Sequence, residues 1–171
     1  MNFKLYFILP IIFATTLIPT VFAEEQVPGF VVAVEGDPYY FSANDFGIGI
    51  FGRVRPSKGI DVLVDTAIHV LKNNSNPTVI IVGETTPKFC DYQNRLQAKI
   101  ERAGLSKRII FHGKQPSTAL PGLFQGMSIV AALSRNEGFG LTVPEAMASG
   151  CAVLASHAGA WQDIITDGLH G

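Results

Sequence analysis

A doubly wound α/β fold built on a parallel sheet is what this sequence predicts, and three observations predict it. From residue 47 onward, short runs rich in Ile, Val and Ala alternate with amphipathic segments of helical spacing. The runs are apolar throughout instead of alternating with polar residues, as strands are when helices cover both faces of a parallel sheet. The chain has 171 residues, 47% apolar, with a formal net charge of −1. That is enough to bury the core of one domain of moderate size.

The first strand is expected at 47–52. Gly47, Gly49 and Gly52 spell G-x-G-x-x-G there, but a dinucleotide fingerprint follows a strand and opens a helix. Ile48, Ile50 and Phe51 make these glycines part of the strand itself, and no obvious ribose-binding acid follows about twenty residues later. A nicotinamide enzyme is therefore disfavoured. The first helix carries Ile60, Leu63, Val64, Ala67 and Leu71 on one stripe and is ended by Asn73-Asn74 and Pro77. A strand at 78–82 follows. The second helix repeats the pattern with Phe89, Tyr92, Leu96, Ile100 and Ala103, and Gly104 is placed as its C-cap. Both stripes read as core. Further strands are expected at 108–112, 128–132 and 152–156, giving a repeating βα unit.

Several function classes are disfavoured by composition. No basic excess points to nucleic acid. Cys90 and Cys151 have neither metal-ligand spacing nor a CxxC pattern and read as small buried thiols. His69, His112, His157 and His170 are scattered, so no metal site is expected.

Two segments carry chemistry. Residues 137–150, EGFGLTVPEAMASG, place Glu137 and Glu145 around a glycine-bracketed turn that leads into a helix expected to start near Thr142. Gly138 and Gly140 let the backbone approach a ligand, and a helix N-terminus attracts an anion such as a diphosphate. Two carboxylates flanking one cleft can accept hydrogen bonds from the vicinal hydroxyls of a sugar or ribose. The same residues also form a capping box, with Thr142 bonding the N–H of Glu145 and Pro144 in the first turn, so Glu145 is either a ligand contact or a cap. Residues 47–59, GIGIFGRVRPSKG, supply Arg53, which can fork onto phosphate oxygens, and Lys58, a point charge for a departing anion. Alone, such charges are more often solvated surface groups.

Together these segments resemble the E-x7-E and G-R-x4-K-G elements of retaining GT-B glycosyltransferases of family 4. The likeness runs from Ser134-Arg135-Asn136 through Glu145-Ala146-Met147-Ala148-Ser149-Gly150 to Gly159 and Gly171. Within the family it is greatest to lipopolysaccharide-core mannosyltransferases. The resemblance implies that the chain is the C-terminal, donor-binding half of a GT-B fold, Rossmann-like and truncated. In such an enzyme Arg53 and Lys58 stabilise the departing diphosphate, Glu137 positions the donor sugar and Glu145 holds the ribose. Gly138, Phe139, Gly140 and Leu141 are then candidate donor-binding positions. Gly83-Glu84 and His112-Gly113-Lys114 are candidates for the nucleotide-base side, although glycine after a strand is commonly only a turn residue. No cofactor is required beyond the donor, GDP-mannose or a UDP-sugar. The acceptor is expected to be a glycan or lipid-linked sugar.

The expected organisation is a signal-peptide-like or membrane segment at 1–23, a linker of unclear origin at 24–46 and a donor-binding domain at 47–171, incomplete at its C-terminus. Lys4, the apolar run Leu5–Phe22 and Val21-Phe22-Ala23 before Glu24-Glu25 read as a secretory leader. At about 18 residues the run would also serve as an anchor, although Pro10 and Pro19 favour the leader. Either reading conflicts with a donor found on the cytoplasmic side of the membrane. A foreign leader joined to a glycosyltransferase fragment resolves the conflict, and so does an uncleaved membrane element. The expectation is a donor-binding half that is inactive alone or active with a separately encoded acceptor domain. The alternatives are a catalytically inactive nucleotide-sugar-binding fragment and an exported α/β binding protein whose motifs are coincidental.

Overall fold

In the computed structural model, the described residues are 3–6, 31–34, 37–40, 46–74 and 76–166, the first three segments as backbone only. The strands are β1 (Phe3–Tyr6), β2 (Val31–Val34), β3 (Asp37–Tyr40), β4 (Gly47–Phe51), β5 (Thr78–Val82), β6 (Ile109–Gly113), β7 (Ile129–Ala132) and β8 (Ala152–Ser156). The helices are α1 (Ile60–Leu71), α2 (Cys90–Arg102), α3 (Leu120–Gln125), α4 (Thr142–Ala148) and α5 (Trp161–Ile164). The main sheet runs β1-β8-β7-β4-β5-β6, while β2 and β3 form a separate antiparallel pair. Strands β4 to β8 pair in parallel, and the backbone of β1 pairs antiparallel with β8, Phe3 opposite Ser156. Most residues of the expected leader and linker lie outside the described set.

The strand order fixes where a ligand can enter. From β4 the chain moves outward to β5 and β6, then returns to the other side of β4 with β7 and β8. The order reverses between β4 and β7, and in open α/β sheets the crevice beyond the carboxyl ends of the two strands at such a switch is the binding position. The turns after β4 and β7 carry Lys58 and Glu137.

Both faces of the sheet are covered. Ile50, Val79, Ile81, Ile109 and Ala131 pack with the predicted stripe of α1, all five of whose residues are buried, and with Tyr92, Leu96 and Ile100 of α2. Phe89 and Ala103, expected on the α2 stripe, are partly buried at its two ends. Alternate residues Phe51, Ile80, Val82, Ile110, Val130 and Val153 point the other way, toward α3, α4 and Trp161. Ile80, in the middle of β5, is 0% exposed. Ile80→Ala is therefore expected to cost about 3–4 kcal/mol in urea denaturation, the transfer loss plus an unfilled cavity; a cost under about 1 kcal/mol would contradict this packing.

Helix α2 ends as Gly104 predicts. Its φ of 72° lets Gly104 N–H donate to Glu101 O (2.9 Å) and Leu105 N–H to Ile100 O (3.1 Å), the paired bonds of a Schellman motif. Helix α1 is closed by the Asn74 side chain, whose Nδ2 donates to Val70 O at 3.0 Å. The cysteine expectation holds for one of two. Cys151 is buried with its Sγ 2.9 Å from Phe124 O, and burial pushes its thiol up to about 11. Cys90 is exposed: it opens α2 on the side facing away from the Tyr92–Leu96–Ile100 stripe.

Candidate functional site

The carboxyl edge of the sheet is knitted together by backbone hydrogen bonds between turns. Gly52 N–H donates to Val82 O (2.9 Å), Val54 N–H to Glu84 O (2.9 Å) and Gly83 N–H to Gly113 O (2.8 Å). Gly83 is required there by contact as well as by its φ of 153°, since a Cβ would lie 2.0 Å from Gly52 O. These turns frame a cleft of about 290 Å³ with Phe51, Val82, Leu120 and Phe124 at its apolar base. Gly52, Arg53, Gly83, Glu84, Lys114, Gln115, Thr142 and Glu145 supply its polar wall. Sites for small molecules are concave, mostly apolar and rimmed by a few polar groups of this kind.

Beside this cleft, at the switch point, Lys58 Nζ donates to Glu137 Oε2 at 2.6 Å, with the two side chains only 16% and 14% exposed. The Lys58 stem lies along Gly52, whose Cα carries no side chain to displace it; a Cβ there would sit 3.4 Å from Lys58 Cε. Lys58 thus stands between the cleft and Glu137. Ser134, 1% exposed, donates from Oγ to the same Glu137 oxygen at 3.0 Å. Burial is the largest influence on the Glu137 carboxyl and pushes its pKa up. The Lys58 hydrogen bond and charge, Ser134 and the Gly140 backbone together outweigh burial and hold it below the ordinary value. Glu137 is therefore an anion paired with the Lys58 cation.

The loop bearing Glu137 is gripped from behind. Ala160 N–H donates to Glu137 O (3.1 Å), and Trp161 Nε1 donates to Gly140 O (3.1 Å). Gly140 has φ 78°, and a Cβ on it would meet Trp161 at 2.5 Å, so this glycine serves the packing against Trp161. Gly138 has open space around it. Phe139 and Leu141 project outward, 76% and 55% exposed.

One expectation is corrected at α4. Thr142 is the first helical residue and not the cap; Leu141 holds the cap position and makes no side-chain cap bond. Gly140 turns the chain through its positive φ, and its carbonyl accepts from Val143 N–H (3.2 Å), so the helix starts on backbone bonds. The capping-box role for Glu145 therefore falls, and its exposed side chain lies on the cleft wall with Arg53. Of the expected site residues, Arg53, Gly83 and Glu145 line the cleft, and Lys58 pairs with Glu137 next to it. His112 and Gly113 sit at the end of β6 and are not on the cleft lining; the other base-side candidates, Glu84 and Lys114, are on it, together with Gln115. Lys114 faces Glu84 at 3.8 Å, an exposed pair of little energetic weight. Among the described residues no group of three or more His, Cys, Asp or Glu is placed to hold a metal.

Ser134 is the site residue that the motif reading passed over. Its signal was a small polar residue ending the apolar run that forms β7, three residues before the first carboxylate.

Residues 40–171 match the family described as glycosyl transferases group 1. The chain belongs to this family. The lipopolysaccharide core biosynthesis mannosyltransferase LpcC of Rhizobium leguminosarum bv. viciae is 41% identical over 124 residues, 72% of this chain and 35% of that protein. LpsB of Rhizobium meliloti, of the same description, is 37% identical over 71% of this chain and 34% of its own length. The chain thus spans about a third of these relatives' length. Among solved structures, the C-terminal domain of the group 1 protein LpcC from Francisella tularensis superposes with a TM-score of 0.68 at 46% identity, over 71% of this chain and 63% of that one. Anabaena Alr3699/HepE in complex with UDP and glucose gives a TM-score of 0.68 at 33% identity, over 75% and 34% of the two chains. The expected resemblance and fold class stand: the parallel sheet is that of the family's C-terminal domain, and the sequence is related to lipopolysaccharide-core mannosyltransferases.

Proposed function

We propose that this glycosyltransferase domain binds a nucleotide-diphosphate sugar and serves the transfer of a hexose, mannose in our reading, with retention, to a lipopolysaccharide-core acceptor. The observation that carries it is the Lys58–Glu137 pair at the strand-order switch, beside a cleft walled by Arg53 and Glu145. Arg53 and Lys58 would take the diphosphate, Lys58 leaving Glu137 for phosphate oxygens, and Glu137 so released would accept hydrogen bonds from the sugar hydroxyls. Glu145 would accept from the ribose hydroxyls. As the bond to the leaving group breaks, negative charge grows on the diphosphate against two positioned cations, which strengthens their interaction in the transition state. The acceptor hydroxyl would attack from the face the leaving group vacates, giving retention.

The likeness to mannosyltransferases supports GDP-mannose as donor, and the UDP and UDP-glucose complexes of the Anabaena relative support a UDP-sugar as the other choice. The domain would work on the cytoplasmic side of the inner membrane, where such donors are made. Turnover would need an acceptor-binding half, supplied by a separate chain if this one lacks it.

Calorimetric titration of the full chain with GDP, UDP and GDP-mannose tests the reading. At least one is expected to bind, and Arg53→Ala/Lys58→Ala is expected to weaken it by about a hundredfold or more, two charge-assisted contacts being lost. Binding to none by a folded chain would refute the proposal, as would undiminished binding by the double variant.

A further inference from the structure

Two residues before Glu137, Arg135 makes a set of contacts that the donor-site reading does not use. Its guanidinium forks onto Asp61, NH1 to Oδ1 at 3.0 Å and NH2 to Oδ2 at 2.6 Å. NH1 also donates to Pro56 O, and the Arg135 backbone N–H donates to Ser57 O at 2.8 Å. Asp61 lies in the first turn of α1. It is held in turn by Tyr92 of α2, whose hydroxyl accepts from Asp61 N–H and donates to Asp61 Oδ1, both at 3.0 Å. The Arg135 hydrogen bond is the largest influence on the Asp61 carboxyl, and the net effect holds its pKa below the ordinary value. Burial leads in pushing the Tyr92 phenol up to about 12.

These contacts join the two turns that meet at the switch point. Pro56 and Ser57 immediately precede Lys58, while Arg135 lies between Ser134 and Glu137. Hydrogen bonds from one residue therefore tie the Lys58 turn to the Glu137 turn, and a helix-anchored carboxylate backed by a tyrosine sets where they are tied. A guanidinium suits this task because its planar fork fixes direction as well as distance.

We propose that Arg135, oriented by Asp61 and Tyr92, is the positioning residue that holds the Lys58 turn against the Glu137 turn and so presets the spacing between the diphosphate and sugar subsites. Arg135 touches neither group directly; it acts through the two turns. Lysine at 135 would keep the charge and lose the fork, so charge and geometry can be separated.

The test has two arms. In the ligand-free chain, the Glu137 carboxyl is titrated by carbon-13 NMR in wild type, Asp61→Asn and Arg135→Lys. Asp61→Asn removes a nearby anion, which on charge alone lowers the Glu137 pKa, whereas a loosened Lys58 contact raises it. A rise toward the ordinary carboxylate range in both variants is the expected result; no change, or a fall in Asp61→Asn, overturns the proposal whether or not a donor binds. The second arm rests on the donor-site reading and uses GDP and UDP. Arg135→Ala is expected to weaken the nucleotide that wild type binds by about tenfold, but by less than about twofold when Lys58→Ala is already present, because coupled residues are non-additive. Equal losses in both backgrounds would mean a merely structural role and would overturn it. Failure of wild type to bind either nucleotide would count against the donor site and leave the NMR arm to decide the positioning role.

Discussion

Gly159→Ala is expected to unseat the Glu137 loop and cost the domain about 3 kcal/mol or more, the joint effect of left-handed backbone and a direct clash. Gly159 has φ 55°, and a Cβ built on it would stand 1.9 Å from Glu137 O and 2.8 Å from Glu137 C. Real Cβ atoms do not approach a carbonyl so closely, and the obstacle is backbone, which cannot rotate aside as a side chain can. Relief would have to come from moving the Glu137 loop or the 158–160 turn. Either movement breaks the bond from Ala160 N–H to Glu137 O and pulls Trp161 off Gly140 O. Urea denaturation with the Gly138→Ala control gives the measurement. A Cβ on Gly138 would meet nothing within 4 Å, and the residue has no positive φ, so alanine there is expected to change stability by no more than about 0.5 kcal/mol. A Gly159→Ala chain as stable as wild type would show that the loop is not seated on this turn.

Sequence patterns reached the frame of the site because its determinants are local. Glycine and β-branched runs placed β4 to β8 within a residue or two of their observed bounds, and the α1 stripe matched residue for residue, since burial on one face of a helix follows 3.6-residue periodicity whatever the partner. The exposure of Cys90 was legible by the same rule, as it falls off the stripe. Short α3 was not predicted: Leu120–Gln125 contains Pro121 and Gly122 and has too few residues to show a period. Helix α4 starts at Thr142 as expected, but its capping was misread because a capping box is a side-chain pattern, whereas here a glycine turn and Trp161, about twenty residues on, secure the loop. The Lys58–Glu137 contact joins residues 79 apart, and the Arg135–Asp61 contact joins residues 74 apart. No spacing rule reaches such pairs; they exist because β4 and β7 are neighbours in the sheet, and neighbours there are set by the return of the chain after β6.

Lys58→Met is expected to destabilise the domain by about 2 kcal/mol at neutral pH, and adding Glu137→Gln to recover about half of that. Both side chains are largely withdrawn from water. Removing the cation alone leaves a desolvated carboxylate with only Ser134 and the Gly140 backbone in support, while removing both charges leaves two groups of similar shape that can pack or hydrogen-bond. The pH dependence has a fixed sign. In wild type the Glu137 pKa is lowered on folding from an ordinary value of 4.5, so its contribution is complete above that value and is lost as pH falls through the lower folded pKa. In Lys58→Met the folded pKa rises, because burial then opposes ionisation with its main counterweight gone. The gap between the two should therefore begin to close as pH falls through the raised folded pKa of Lys58→Met, where the variant recovers stability, and finish closing below 4.5 as wild type loses its own contribution. Urea midpoints measured from neutral pH down to about pH 3 test this. A gap that stays constant across that range, or a double variant less stable than Lys58→Met at neutral pH, would mean that the pair is not coupled in the folded chain and that Glu137 is held by Ser134 and its loop alone.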